Sequence, residues 1–349
     1  MHIMKKIFVV LLASILFSVA GHAQSNFRSF GSTTESSSGE SGKIFLQHNG
    51  NVKAIFSSND LAGAIANAVE GDTIFLSSGT FTGDVAFSKK ISIIGVGADE
   101  SVSTTYTQYT GSMQVTPSSQ TQMLGRVLLE GISFTQQTTF AGIDDLVLRK
   151  CYFSNYLYLG SSSEKSSLKK VLIDRCYVSN LAFYSSVGES LAKNSRIYSI
   201  SDNSGMKNNS ESFANIHFDH CNISTTSMNA VYSNSIINSL SNLSKNSFLV
   251  NVLYYSSSST LYANLQDCYS ETNSLLLSSG SNYEKLAGKY SVEDLKVKKY
   301  FGYDETVVGI EGGVNPFSLK RHVPTFTNKN LYVDPKTKKL SVDIKVTAN

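Results

Sequence analysis

Apolar residues along this chain recur in an eight-residue pattern: apolar, any, apolar, two small or polar, small or apolar, any, apolar. Ile74, Leu76, Gly79 and Phe81 fit it, as do Val127, Leu129, Ile132 and Phe134. Leu146, Leu148, Cys151, Phe153 follow, then Val171, Ile173, Cys176, Val178, and Ile216, Phe218, Cys221, Ile223. Ile91, Ile93, Val96 and Ala263, Leu265, Cys268 fill three of the four places. A pattern repeating roughly every 20 residues predicts a solenoid, in which each turn buries its face only against its neighbours.

Each repeat reads as one turn of a coil. The first apolar-x-apolar is a strand, and the next pair (Arg149-Lys150, Asp174-Arg175, Asp219-His220) is a tight corner. A second strand follows, then a second corner at Ser154-Asn155 and Ser179-Asn180. A third strand covers Tyr156 to Leu159, Leu181 to Tyr184 and Leu275 to Leu277. The centres Gly79, Val96, Ile132, Cys151, Cys176 and Cys221 lie 17, 36, 19, 25 and 45 residues apart. The 36 implies an inserted loop around Asp99 to Leu124, and the 45 a degenerate turn near Ile197 and Ile200. Between Cys221 and Cys268 the register is open.

The flanks differ. Lys5 and Lys6, the apolar run Ile7 to Ala20 and the small residues of Ala20-Gly21-His22-Ala23 predict a secretory signal over 1–23. Its core is too short to span a membrane. Residues 24–42, rich in Ser, Gly, Thr and Glu, predict a disordered linker. Asn49-Gly50 between apolar runs predicts a hairpin. Ser57 to Asp60 offer helix-capping side chains, and Leu61, Ala64, Ile65 and Ala68 give a helical apolar face that Gly71 ends. Such a helix suits the open end of a solenoid. From Glu284 the chain gains Lys, Asp, Glu and Pro, and Leu340, Val342, Ile344 and Val346 alternate. This tail is expected to cap the coil or run along it.

Three strands per turn with short corners imply an all-β fold, a right-handed parallel β-helix over 43–283 with an N-terminal amphipathic capping helix and a C-terminal capping segment over 284–349. Asp60-Leu61, Ala64-Ile65, Gly71-Asp72-Thr73-Ile74, Leu76, Gly79-Thr80-Phe81 and Ile91 to Gly95 resemble the N-terminal cap and first turns of the pectate-lyase-like superfamily. The resemblance implies the fold. It leaves activity open, because many such proteins are not lyases.

The formal charge of +3 falls to about +1 once Lys5 and Lys6 leave with the signal, which argues against nucleic-acid binding. No segment beyond the signal is long and apolar enough for a membrane span. The expected location is secreted, at the cell surface or in the periplasm. Four cysteines in an exported chain invite disulfides. Yet Cys151, Cys176, Cys221 and Cys268 share one repeat position, which predicts an inward column of small residues instead.

Family enzymes that cleave acidic polysaccharide use carboxylates, as calcium ligands beside an Arg or Lys base or directly as acid and base. Their site usually lies along the third-strand face, which here carries no Asp, Glu or Lys. Asp144-Asp145 is the one carboxylate pair inside the repeats. With Arg149, Lys169 and Lys170 it defines the lyase or glycoside hydrolase alternative; no cofactor is expected otherwise, and Ca2+ enters only under the lyase. The competing reading is a surface ladder, Asp144-Asp145 lying between Arg126 one turn earlier and Lys169-Lys170 one turn later. Glu130, Arg149 and Asp174 likewise read as a charge-alternating column, and Arg149, Lys150 and Arg175 alternatively as an anion patch. His217, Asp219 and His220 form the densest cluster, read as a solvated face without a third metal ligand. Asn155 and Asn180 read as an amide ladder. Tyr152 and Tyr177 share an outward place, with Tyr156, Tyr158 and Tyr184 nearby. This Tyr face is the candidate ligand site, for a glycan or an extracellular protein, set against aromatics that merely stabilise neighbouring turns. The preferred function is a non-catalytic exported module binding through that face, and a structural, adhesin-like component is the further alternative.

Overall fold

The computed structural model describes residues 42–98, 106–119, 122–161, 167–185, 187–203, 215–226, 228–240, 243, 247–255, 264–271, 300–319, 325–333 and 340–347. The signal and the linker up to residue 41 lie outside them, as do Ala263 and Leu275 to Leu277.

Two long parallel sheets dominate. In the first, Thr73–Leu76, Ser92–Ile94, Leu124–Glu130, Ile143–Arg149, Lys170–Asp174, Ser190–Lys193, Ile216–Asp219, Val231–Ser233, Phe248–Val250 and Asn264–Gln266 pair in that order. The second takes the strand that follows each of these, from Gly79–Phe81 to Tyr269–Glu271. Ten rungs therefore stack, each giving one strand run to each sheet, an arrangement consistent with a β-helix. In-register parallel pairing sets the rungs roughly 4.8 Å apart. No helix among the described residues is long and apolar enough to cross a membrane.

The expected separate third strand is corrected. In the first three rungs the second sheet breaks into short pieces, as at Thr107–Tyr109 and Met113–Val115. From Tyr152–Leu159 onward the two pieces are one strand, and both Ser133–Phe134 and Thr138–Phe140 pair with it. Ser154-Asn155 is thus an irregularity within a strand and no corner. It also separates the two asparagines of the expected ladder. Asn180 pairs with Tyr156, while Asn155 Oδ1 accepts the Tyr156 N–H at 2.8 Å.

The repeat centres form one column: Gly79, Thr107, Ile132, Cys151, Cys176, Ser195, Cys221, Ser235, Val252 and Cys268. Thr107 replaces the expected Val96, because the insertion lies between the two strands of that rung. The degenerate turn is the Ser195 rung. Two compact rungs, centred on Ser235 and Val252, fill the open interval before Cys268. Inside, Phe81, Tyr109, Phe134, Phe153, Val178, Ile197, Ile223 and Ile237 stack with no more than 1% of their surface exposed. Phe134 and Phe153 lie parallel with centroids 4.9 Å apart. Each such side chain contributes about 1.5–3 kcal/mol through burial. Leu265 keeps the inward register, opposite fully buried Leu249, and is 44% exposed at the last described rung.

The corner between the sheets has a left-handed backbone at every rung from Gly131 on. Gly131, Lys150, Arg175, Asn194, His220, Asn234, Asn251 and Asp267 all have φ between 46° and 68°. Only here can a single residue reverse the chain tightly enough, and Asn and Asp tolerate the conformation best.

At the start, Lys43–His48 and Asn51–Ser57 form an antiparallel hairpin closed by Asn49 and Gly50, both at positive φ, and its first strand joins the first sheet through Thr73–Leu76. The helix Leu61–Asn67 buries Leu61, Ala64 and Ile65. Asp60 accepts the Gly63 N–H at 3.0 Å. The helix ends at Asn67, earlier than the sequence suggests, because Lys89 Nζ takes the carbonyls of Ile65, Ala66 and Ala68 at 2.7–2.9 Å. Gly71 (φ 88°) serves the following turn instead.

The described tail has two parts. Residues 300–319 run as a strap along the corner column toward earlier rungs, from Tyr303 on Asp267 to Gly312 on Asn194. Tyr300 and Val308 pack on Ile236 and Leu253. Thr325–Val333 and Leu340–Thr347 pair as an antiparallel hairpin.

Candidate functional site

Tyr152 and Tyr177 occupy one outward column on adjacent rungs, as expected. Their rings stack at 4.5 Å with 10° between planes, and the Arg196 guanidinium caps Tyr177 at 5.3 Å from its centroid. Rings stacked along the coil spend their faces on one another and turn edges outward, so this column is largely self-satisfied. Further along the second sheet the same column becomes Asn222, Ile236, Leu253 and Tyr269, which the strap covers.

Tyr156, Tyr158 and Tyr184 form a separate cluster. Leu157 and Leu159 point inward and are fully buried, which sends Tyr156 and Tyr158 outward. Tyr156 stacks on Tyr158 at 5.2 Å, and Tyr184 meets Tyr158 edge-on at 5.2 Å. Tyr156 is 43% exposed. Burial pushes the Tyr158 phenol up, and the neighbouring Tyr184 and Tyr156 phenols add to it. The cluster joins three phenol rings, two of them on a strand paired from both sides and Tyr184 just past the end of the next rung's strand.

The carboxylates stand in ion pairs. Lys169 Nζ lies 2.6 Å from Asp144, and Arg126 Nε 3.7 Å from Asp145, which also pairs across the sheet with Lys170. Arg149 reaches Glu130 at 3.3 Å and Asp174 at 3.4 Å. Arg175 binds Asp174 through two hydrogen bonds of 3.1 and 2.9 Å. Lys193 and Asp219 continue this column, so its sign alternates over five rungs. No group of three His, Cys, Asp or Glu suited to a metal occurs among the described residues.

The His cluster divides. His217 points outward between buried Ile216 and Phe218, into an open groove of about 670 Å³ on the first sheet, lined also by Asp145, Lys170, Leu172 and Leu191. Burial pushes its pKa down, against the opposing pull of Asp219. Its Nε2 lies 2.7 Å from Ser233 Oγ, whose proton goes to Asp219 at 2.5 Å. The Ser233 hydroxyl has one hydrogen, so His217 donates to it and cannot act as its base. Sequence reasoning missed Ser233, which is 16 residues from His217 and marked by no motif. His220, expected on a solvated face, is 3% exposed under the strap. Its Nε2 lies 3.0 Å from Asp304, and its Nδ1 3.3 Å from the Gly309 carbonyl oxygen.

A site the sequence did not flag joins the hairpin to the turn after the helix. Asp72, its side chain fully buried, takes a close contact from His48 Nδ1 and accepts the Val69 N–H at 2.9 Å. Burial acts to raise its pKa. The Val69 N–H, His48 and Lys53 outweigh that and hold it below the usual carboxylate value. This clamp orders the start of the fold. Compared with known proteins, the chain matches no family model, no curated protein and no solved structure.

Proposed function

We propose that the chain is an exported right-handed parallel β-helix of the pectate-lyase-like kind, with the helix Leu61–Asn67 over its open end. We read it as a non-catalytic module that contacts a glycan or a partner protein at the cell surface. The observation that carries this reading is the Tyr156–Tyr158–Tyr184 cluster, a partly exposed group of three packed phenol rings on two adjacent rungs. Such amphipathic rings gain contact area at little conformational cost. The lyase or hydrolase alternative would place its chemistry on Asp144 and Asp145, which form exposed ion pairs with Lys169 and Arg126 and belong to no metal-sized group of His, Cys, Asp or Glu among the described residues. The test is binding to immobilised polysaccharides and to extracellular protein fractions by wild type and by Tyr156→Ala/Tyr158→Ala. Loss in the double variant, with melting temperature kept, supports the reading. Full retention clears the cluster of a role.

A further inference from the structure

The strap bonds three side chains of the corner column, Asn194, His220 and Asp267, while Asn234 and Asn251 bond within the coil. Asn194 Nδ2 donates to the Gly312 carbonyl at 2.7 Å, and His220 meets Asp304 and the Gly309 carbonyl. The strap's described hydrogen bonds reach the column as far as Asn194. The same column continues to Arg175 and Lys150, each roughly 4.8 Å further on. There the side chains become cationic. Arg149 and Arg175 are engaged with Glu130 and Asp174. Three cations thus face two carboxylates, and the unmatched charge sits on Lys150. Lys150 is 9% exposed, and its ammonium has no hydrogen-bond acceptor or ion-pair partner among the described residues. Burial and then Arg175 push its pKa down, against Glu130 and Asp174. Its Nζ is not among the fully enclosed polar atoms, so an anionic acceptor can reach it and be drawn by the charge the two carboxylates leave unmatched.

We infer that the Lys150–Arg175 end of the corner column docks an acidic peptide segment of a partner protein, in line with the chain's own strap. This rests on the partner-binding reading above and narrows it to protein. Two observations favour a peptide: the charge left over at Lys150, and continuity with an interface already built from peptide. The strap fills the column with backbone carbonyls and one carboxylate, Asp304, and an acidic segment in trans repeats that chemistry. A uronate glycan shares the carboxylate but lacks the row of carbonyls.

The test uses the full mature chain and a fluorescent Gly-Asp repeat peptide, followed by anisotropy at low salt. Its Gly-Asn counterpart and an oligogalacturonate serve as controls. Lys150→Asn is the informative variant, because Asn already holds this left-handed corner at 194, 234 and 251 and the protein should fold with an unchanged melting temperature. The Gly-Asp peptide should bind wild type, and Lys150→Asn should weaken it roughly tenfold or more, whereas Tyr156→Ala/Tyr158→Ala should not. Equal binding by Lys150→Asn, equal binding of the Gly-Asn peptide, or no binding of the Gly-Asp peptide would each overturn the inference. Oligogalacturonate bound by wild type and lost only in the Tyr variant would overturn it too, while leaving the Tyr-face reading standing.

Discussion

Ser195 holds the place in its rung that Cys176 holds in the one before, and its hydroxyl accepts the Cys176 backbone N–H at 3.0 Å. The same hydroxyl donates to the Lys193 carbonyl at 2.8 Å, two residues back across the left-handed corner. Ser235 repeats both contacts with Cys221 and Ser233. The cysteines donate in the same direction, Cys151 to Arg149 at 3.3 Å and Cys221 to Asp219 at 3.4 Å. From Cys151 to Ser235 the column holds small residues whose donor reaches the carbonyl two residues back, and Cys and Ser both serve. Ser195→Ala should cost about 1–3 kcal/mol in thermal or urea unfolding, because it strands a buried N–H. Ser195→Cys should stay within about 1 kcal/mol, as a near-isosteric swap that keeps a donor. Cys176→Asp should unfold the protein by burying an unpaired charge.

The cysteines should behave as inert thiols. Cys151, Cys176 and Cys221 are fully buried and, with partly buried Cys268, unpaired. Burial pushes the Cys221 thiol up to about 12 and the Cys176 thiol well above its ordinary value. Since the thiolate is the reactive form, a thiol-specific dye should label Cys268 first and slowly. The other three should react only in denaturant. Rapid labelling of all four in the native protein would contradict the inward column.

The inward positions of five rungs were legible because their strands carry alternating large apolar residues, and those positions are buried as expected. The rungs centred on Thr107, Ser195, Ser235 and Val252 were obscured by polar residues at inner places. Buried places in them hold Thr107, Ser190, Ser195, Ser235 and Ser247, which an apolar template does not count, and at Thr107 the insertion after Ile94 also shifts the spacing. Tyr232 is fully buried because its hydroxyl donates to the Met228 carbonyl at 2.8 Å. The Tyr pairs were legible from their shared repeat place. That Tyr152 and Tyr177 stack on each other, and that the strap buries His220, depends on ring orientation and on contacts across 84 residues of chain. Local pattern carries neither.

Acid should loosen the N-terminal end. The Asp72 carboxyl lies below its ordinary pKa in the folded protein, so its stabilising contribution is complete above the unfolded value. It is lost as pH falls below about 4 and through the folded value. Asp72→Asn should cost roughly 1–3 kcal/mol at neutral pH and flatten the acid limb of the stability curve. Melting temperature between pH 7 and pH 3 reads both. Parallel curves for variant and wild type would show that Asp72 does not titrate as the clamp requires.

The strap should open when Asp304 is neutralised. Burial acts to raise its pKa, but the Thr306 N–H and hydroxyl and the nearby His220 together hold it below the ordinary value. Asp304→Ala removes the partner of His220 Nε2 and both Thr306 contacts. Hydrogen exchange over residues 300–313 should rise several-fold while the Phe134–Phe153 rungs stay protected. Uniform exchange across both regions would mean that the strap and the coil unfold as one unit.

Catalysis is the sharpest contrast to the binding reading, and a panel of acidic and neutral polysaccharides decides between them. A lyase of the calcium type needs several oxygen ligands converging on one ion beside a base, and a hydrolase needs two carboxylates facing one bond. Asp144 and Asp145 instead face Lys169 and Arg126 across neighbouring rungs, and the Tyr strand face carries no acid. Wild type should therefore release no new reducing or unsaturated ends from any polymer, with or without added calcium. Product formation would sink the binding reading. If that product also vanished in Asp144→Asn or Asp145→Asn at unchanged melting temperature, the ion pairs would have to open on substrate binding, and the chemistry would belong to the first sheet.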